Sequence, residues 1–304
     1  FSQIGNEEVT NGDFSQIGSE LVVCGDFSCA DPNAAWSPVG LATISGGVAS
    51  FVDNGTNTNS YISQNILTAN KTYKITFDVT RYVAGNLQFV IGSTSEDLFD
   101  ITSGVGSYVA YYTVASGGAE DLFRIKRYGG TPNFDFDIDN VSVKEVGQGF
   151  TFGDGWGMGD GIASCDGTQT NVTNLSANTG NTTTAGSFYK ITYTVSNYSA
   201  GTLRVNLGAW GTYRSANGTY TEYIQDTGGG SRIVVQGNTD FVGSVDNISV
   251  KEVGQDWSVV GSDSTHFVQF TSTGARYVSD TTSPVLELKQ TALTSGKNYI
   301  LTCN

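Results

Sequence analysis

The sequence predicts an all-β protein of tandem antiparallel β-sandwich domains, the last of them incomplete. Three observations carry that prediction. Apolar and polar residues alternate with a period of two, glycine-rich breaks punctuate the alternation, and the same strand sequences recur at domain-sized spacing. Alternation is clearest where Tyr73, Ile75, Phe77 and Val79 interleave with Lys74, Thr76 and Asp78. It recurs where Leu203, Val205 and Leu207 flank Arg204 and Asn206, and where Phe134, Phe136 and Ile138 flank Asp135, Asp137 and Asp139. Such a strand packs one face on a core and wets the other. Ser45-Gly46-Gly47 and Gly228-Gly229-Gly230 supply turns that call for positive φ.

The repeats set the domain boundaries. Lys71, Tyr73 and Thr76 recur in step as Lys297, Tyr299 and Thr302, and the same strand begins between them at Tyr189. A closing marker, Asp139-Asn140-Val141-Ser142-Val143-Lys144-Glu145-Val146-Gly147-Gln148, returns as Asp246 to Gln255 with Ile248 in place of Val141. These markers predict one sandwich over 20–148, a second over 149–254 and part of a third over 255–304. The N-terminal segment 1–19 lies in a tandem repeat: Phe1 to Asp13 is followed at once by its near copy, Phe14 to Asp26. The second copy is expected to open the first sandwich, which leaves the first copy as a surplus strand. A surplus strand and a half-built sheet on one chain suggest donation between subunits, with Phe1, Ile4 and Val9 as anchors and Tyr299 and Leu301 at the receiving edge. The competing reading is a window cut from a longer repetitive polypeptide.

Composition narrows the function classes. Charged residues make up 14% of the 304, against about 25% in an average domain, and Gly (39 residues) is abundant, so long amphipathic helices have little to form from. A formal charge of −14 and a pI near 4.3 repel phosphate backbones, which argues against nucleic acid as a partner. No apolar run approaches the roughly 18–20 residues of a membrane-spanning helix. Cys24 and Cys29 stand close enough in sequence to bridge, while Cys165 and Cys303 have no near partner; the spacing shows no zinc pattern, and four free thiols is the reading the sequence favours. Nine Asn-x-Ser/Thr sequons would accept glycans where the machinery exists.

Catalytic signals are thin. His266 is the sole histidine, with Asp263 and Ser264 on the same local segment, whereas a triad needs groups converging from separate rigid elements. No catalytic residue is assigned. Phe152 to Gly161 is glycine-rich but lacks the Lys-Ser/Thr of a phosphate cradle, and it reads as the loop opening the second sandwich. Its Trp156 either anchors a core or stacks on a sugar. Tyr108 and Tyr111 match Tyr220 and Tyr223 at a single offset, as shared packing would dictate. Trp210 and Tyr213 have no such counterpart and follow a strand into a loop, which makes them, with Trp156, the sugar-stacking set. For Trp210 core burial competes with that role. Asp135, Asp137 and Asp139 project from one strand face, where three carboxylates suit Ca²⁺ or form a solvated acidic face.

Three stretches carry a resemblance. Glu20-Leu21-Val22-Val23-Cys24-Gly25-Asp26-Phe27, the run from Leu67 through Lys71-Thr72-Tyr73-Lys74-Ile75-Thr76 to Val79, and the closing Asp139 to Val146 resemble the jelly-roll carbohydrate-binding modules, especially divergent copies along phage and environmental surface or fibre proteins. That resemblance implies a two-sheet β-jelly-roll, sugar bound on a concave face or at loop tips, and one structural calcium near the first and last strands. The family places a carboxylate just after the opening Phe. Here Ser28 stands there and Asp26 precedes the Phe, which adds Asp26 to the calcium set.

The reading that follows is a non-catalytic structural subunit of an extracellular filament or virion fibre, a homopolymer joined head to tail by strand complementation. It requires no cofactor and admits a structural calcium. The alternative is a glycan-binding adhesin or fibre segment, or the accessory sugar-binding module of a polysaccharide-degrading enzyme.

Overall fold

The computed structural model describes residues 4–300 apart from 56–58, 93, 97, 115–120, 129–132, 178–182, 256, 262–265, 272–273 and 281–284. Period-two alternation decides the layers. Strand Thr72–Ala84 buries Tyr73, Ile75, Phe77 and Val79 and leaves Lys74, Thr76 and Asp78 partly exposed. It runs antiparallel between Asp135–Val146 and Gly106–Thr113, and Val48–Val52 and Ala42–Ser45 extend the sheet beyond the former. A second antiparallel sheet, Tyr61–Asn65, Leu122–Arg127, Leu87–Ile91 and Thr94–Glu96, supplies Ile62, Phe89 and Phe123 to the same core. This is an antiparallel β-sandwich.

The second sandwich repeats the plan. Phe188–Ala200 lies between Val242–Val253 and Gly218–Gln225, with the hairpin Trp156–Gly159/Ile162–Asp166 extending the sheet. The opposing sheet is Phe150–Phe152, Thr173–Ala177, Val234–Gly237, Leu203–Leu207 and Ala209–Trp210. Equivalent residues do equivalent work. The Tyr73 hydroxyl accepts from the Thr68 amide at 2.9 Å and the Tyr189 hydroxyl from the Thr184 amide at 2.8 Å, both rings being buried. Both closing strands bulge at an asparagine with positive φ, Asn140 (53°) and Asn247 (54°), a conformation asparagine tolerates better than most residues.

The N-terminal repeat departs from expectation. The sequence leaves its first copy without a place in the first sandwich, and the structure seats it on the second sandwich of the same chain. Ile4–Glu7 pairs with Val242–Val253, while the second copy, Ile17–Glu20, pairs with Asp135–Val146. Matched residues of the two copies make the same contacts. Glu7 accepts from the Ser249 hydroxyl (2.5 Å) and the Val250 amide (2.7 Å); Glu20 accepts from Ser142 (2.5 Å) and Val143 (2.9 Å). The Gly12 carbonyl accepts from the Ile248 amide and the Gly25 carbonyl from the Val141 amide, each at 2.8 Å. Both glycines are obligatory, because a Cβ would lie 1.8 Å from the Ile248 carbonyl oxygen or 1.9 Å from that of Val141. Each copy then drives a phenylalanine into a core: Phe14 against Phe150 (4.8 Å between ring centres) in the second sandwich, Phe27 against Trp36 (5.5 Å) in the first. The first sandwich is thus inserted between the opening segment and the body of the second.

This placement corrects the assembly set. Val9 is buried in the second core of its own chain, and Ile4, half exposed, lies opposite Val253. Phe1 and Leu301 lie outside the described residues. In the third repeat, Ser258–Val260 pairs with Glu287–Lys289 and Phe267–Phe270 with Ala275–Val278. Tyr299 keeps the local bond of its counterparts, accepting from the Thr294 amide at 2.8 Å, yet its ring is 51% exposed and no strand forms around it among the described residues.

The free-thiol reading is also corrected. Cys24 and Cys29 form a disulfide, with Cα atoms 5.7 Å apart, beside Phe27; Cys165 is a buried free thiol. The tight chain path that brings Phe27 into the core also brings the two sulfurs together.

Candidate functional site

The exposed face of the second sandwich's second sheet carries the one sequence-predicted group that the structure assembles. Strand Leu203–Leu207 buries Leu203, Val205 and Leu207, so Arg204 and Asn206 point outward. Asn174, Gln236 and Arg204 stand side by side across three strands. Gln236 accepts from Arg204 Nη2 at 3.1 Å and donates to Asn174 Oδ1 at 3.2 Å. The Arg204 guanidinium lies 3.7 Å from the Trp210 ring centre and 4.6 Å from that of Tyr213, a cation–π arrangement that holds both rings in place. Trp210 remains 49% exposed and Tyr213 58%, which resolves the competing core reading for Trp210.

The loop bearing the two rings is held from beneath. Buried Glu222 accepts from the Tyr193 hydroxyl at 2.9 Å and from the Thr212 amide at 2.7 Å, and it pairs with Arg214 at 3.4 Å. Arg214 exchanges two backbone hydrogen bonds with Leu203 (2.7 and 2.9 Å), and the Gly211 amide donates to the Val205 carbonyl. Gly211 leaves no room for a side chain, since a Cβ would come within 2.5 Å of Glu222 Oε2. The rings therefore sit on a fixed platform, not a free loop. Sequence reasoning missed Glu222, Arg214 and Tyr193. Glu222 was legible as the only charged residue in the alternating run Thr219 to Gln225.

Burial, then the Glu222 charge, pushes the Tyr193 hydroxyl well above the usual tyrosine range. Above a pH of about 10 the unfolded chain releases this proton while the folded chain keeps it, so stability falls as pH rises. The urea midpoint of the second sandwich should decline more shallowly above that pH in Tyr193→Phe than in the parent. Parallel slopes would rule out this contribution.

The other predicted residues are dispersed. Trp156 is 5% exposed and packs on Phe241 with ring centres 5.8 Å apart, so it is a core anchor and not a stacking surface. An open cleft of about 450 Å³ beside it, bordered by Ser164, Asp166 and Thr168, receives only the margin of that ring. In the acidic ladder, Arg81 reaches Asp135 (2.6 Å) and Asp137 (2.7 Å), which satisfies two carboxylates of the calcium set. Asp26 accepts from Ser28 at 2.6 Å. Burial and then the nearby Asp26 and Asp78 charges raise the Asp139 pKa. Among the described residues no three acidic, histidine or cysteine side chains converge as metal ligands. His266 is buried with Nε2 2.8 Å from Asp280; Asp263 and Ser264 lie outside the described residues. The matched tyrosines do share packing: Tyr108 lies opposite Phe77, and Tyr220 opposite Tyr193. On the first sandwich the corresponding outer face offers, among the described residues, one stacked pair, Arg124 over Tyr61 at 4.0 Å.

No family model matches the chain, and no curated protein matches it. Among solved structures it is similar to the N-terminal tandem CBM22-1–CBM22-2 domain of Paenibacillus barcinonensis Xyn10C, at 9% identity and a TM-score of 0.32 over 83% of this chain and 99% of that one. It is also similar to allantoicase, at 10% identity and a TM-score of 0.29 over 80% of this chain and 93% of that one. A Paenibacillus xanthan lyase matches at 15% identity and a TM-score of 0.25, over 82% of this chain and 26% of the lyase.

Proposed function

We propose that this chain is a secreted, non-catalytic carbohydrate-binding protein whose sugar surface is the platform of Trp210, Tyr213, Arg204, Gln236 and Asn174. The observation that carries the reading is a pair of half-exposed aromatic rings held rigid by buried polar bonds beside a row of amide and guanidinium groups. Exposing such rings gives up burial worth roughly 1.5–3 kcal/mol for a large apolar side chain. A ligand recovers it. Pyranose rings present apolar C–H faces to indole and phenol, and their hydroxyls suit the neighbouring donors and acceptors. The Cys24–Cys29 disulfide fits an oxidising compartment, and among the described residues no helix is long and apolar enough to cross a membrane.

The filament reading rested on a half-domain and a surplus strand, and the strand is taken up by the second sandwich of its own chain. That observation moves the balance toward the sugar-binding alternative. Calorimetry against a panel of soluble polysaccharides tests it. At least one should bind, and Trp210→Ala and Tyr213→Ala should each weaken binding about tenfold or more, which corresponds to roughly 1.4 kcal/mol. Affinity unchanged in both variants would move the site elsewhere; no bound polysaccharide in the panel would count against the function.

A further inference from the structure

The second sandwich is assembled from two pieces with a whole domain between them. Its opening segment, residues 4–14, contributes Val9 and Phe14 to the core and Glu7 to the far-off amide of Val250, so the core is closed only when that segment docks. We propose that two copies of this chain exchange residues 4–14, each completing the second sandwich of the other. This inference uses none of the residues of the sugar platform.

Phe14 is buried in the second sandwich, whereas strand Ile17–Glu20 belongs to the first, so the two domains are joined at this point by Ser15 and Gln16 alone. They are joined again through Gly147-Gln148-Gly149, whose glycines have φ of 69° and 86°. Such a linker admits a change of direction without side-chain strain. Between the joints the domains meet through Val146 and Tyr111, which pack on the second core; Tyr111 donates to Asp160 at 2.9 Å, beside a cavity of about 200 Å³ bordered by Phe14, Ile17, Val146 and Met158. Turning about residues 147–149 carries the first sandwich and its leading segment away together. A second copy offers the same seat: the donors to Glu7, the gap that only Gly12 fits, and the pocket of Phe150 and Phe152 around Phe14. Apart from the Asn11 side-chain bond to the Gln148 carbonyl (2.9 Å), which lies in the turning linker, the contacts made in trans repeat those made in cis, so effective concentration decides between them. Reciprocal exchange gives a closed dimer, and non-reciprocal exchange an open chain.

The test uses the full chain with Cys165→Ala and Cys303→Ser as background. One preparation carries Ile4→Cys and a second carries Val253→Cys, positions that lie opposite each other in the pairing. The two are mixed, unfolded, refolded and mildly oxidised. An interchain disulfide is expected, roughly tenfold more abundant at ~100 µM than at ~1 µM protein. A chain carrying both cysteines should bridge within itself when dilute. Light scattering on the parent chain refolded at the same concentrations should give a dimer mass at the higher one. Adding Gly12→Val to the Ile4→Cys chain should remove the interchain band, and an excess of a synthetic peptide of residues 2–15 should suppress it. Monomer mass at both concentrations, or an interchain band that survives Gly12→Val and the peptide, would overturn the proposal.

Discussion

Phe14→Ala is expected to destabilise the second sandwich strongly and spare the first, although residue 14 directly precedes the first in sequence. Its ring is 1% exposed and packs on Phe150 and Phe152, which follow the whole first sandwich in the chain. Removing a buried phenylalanine costs about 3–5 kcal/mol, a large share of the ~5–15 kcal/mol that holds a domain together. The effect should be local, because Val9 and Phe14 belong to the second core and Val22 and Phe27 to the first. Hydrogen exchange read by peptide mass spectrometry separates them. Phe14→Ala should cost protection in Phe188–Ala200 and Val242–Val253 while Thr72–Ala84 and residues 135–143 hold; Phe27→Ala should do the reverse. Loss of protection at 135–143 in Phe14→Ala would overturn the assignment of the opening segment.

The strands were legible because alternation is a local signal: Tyr73, Ile75, Phe77 and Val79 are buried as their spacing dictates. The destination of the first N-terminal copy was not. Adjacent segments usually pack together, and nothing between residues 1 and 26 shows that the nearer copy serves the nearer domain while the farther copy skips over it. One signal did point there. Glu7 and Glu20 hold the same place in the two copies, each needs a Ser-Val pair, and the closing marker supplies two, Ser142-Val143 and Ser249-Val250. The partner of the acidic ladder was hidden for a related reason: three carboxylates were visible in one strand, but Arg81, which pairs with two of them, comes from the neighbouring strand Thr72–Ala84, distant in sequence. Trp156 and Trp210 could not be told apart by residue type. What separates them is a buried glutamate beneath one loop and a closed core around the other ring.

Glu222→Ala is expected to abolish polysaccharide binding with Trp210 and Tyr213 still in place. The carboxylate is 8% exposed and accepts from Tyr193 and Thr212 while facing Arg214, so its removal leaves a buried hydroxyl, a backbone amide and a guanidinium short of their partner. Breaking a buried ion pair costs about 3–5 kcal/mol; because a quarter of the Arg214 side chain is exposed, a value of about 3 kcal/mol is expected, below the threshold for unfolding a typical domain at room temperature. The released segment should be 209–214, since the Thr212 amide bond to Glu222 ties it to the core. Glu222→Gln keeps an acceptor of nearly the same shape without the charge, and it should fall between Ala and the parent in both stability and affinity. The decisive comparison sets affinity against exchange rates in 203–214. If the platform works because it is rigid, both should change together, and Tyr193→Phe, which removes only the hydroxyl donor, should weaken binding by less. Full affinity in Glu222→Ala, with exchange in 203–214 raised, would mean that the rings bind sugar without being held; full affinity with exchange unchanged would mean that the loop is fixed by its backbone bonds to Leu203 and Val205 alone.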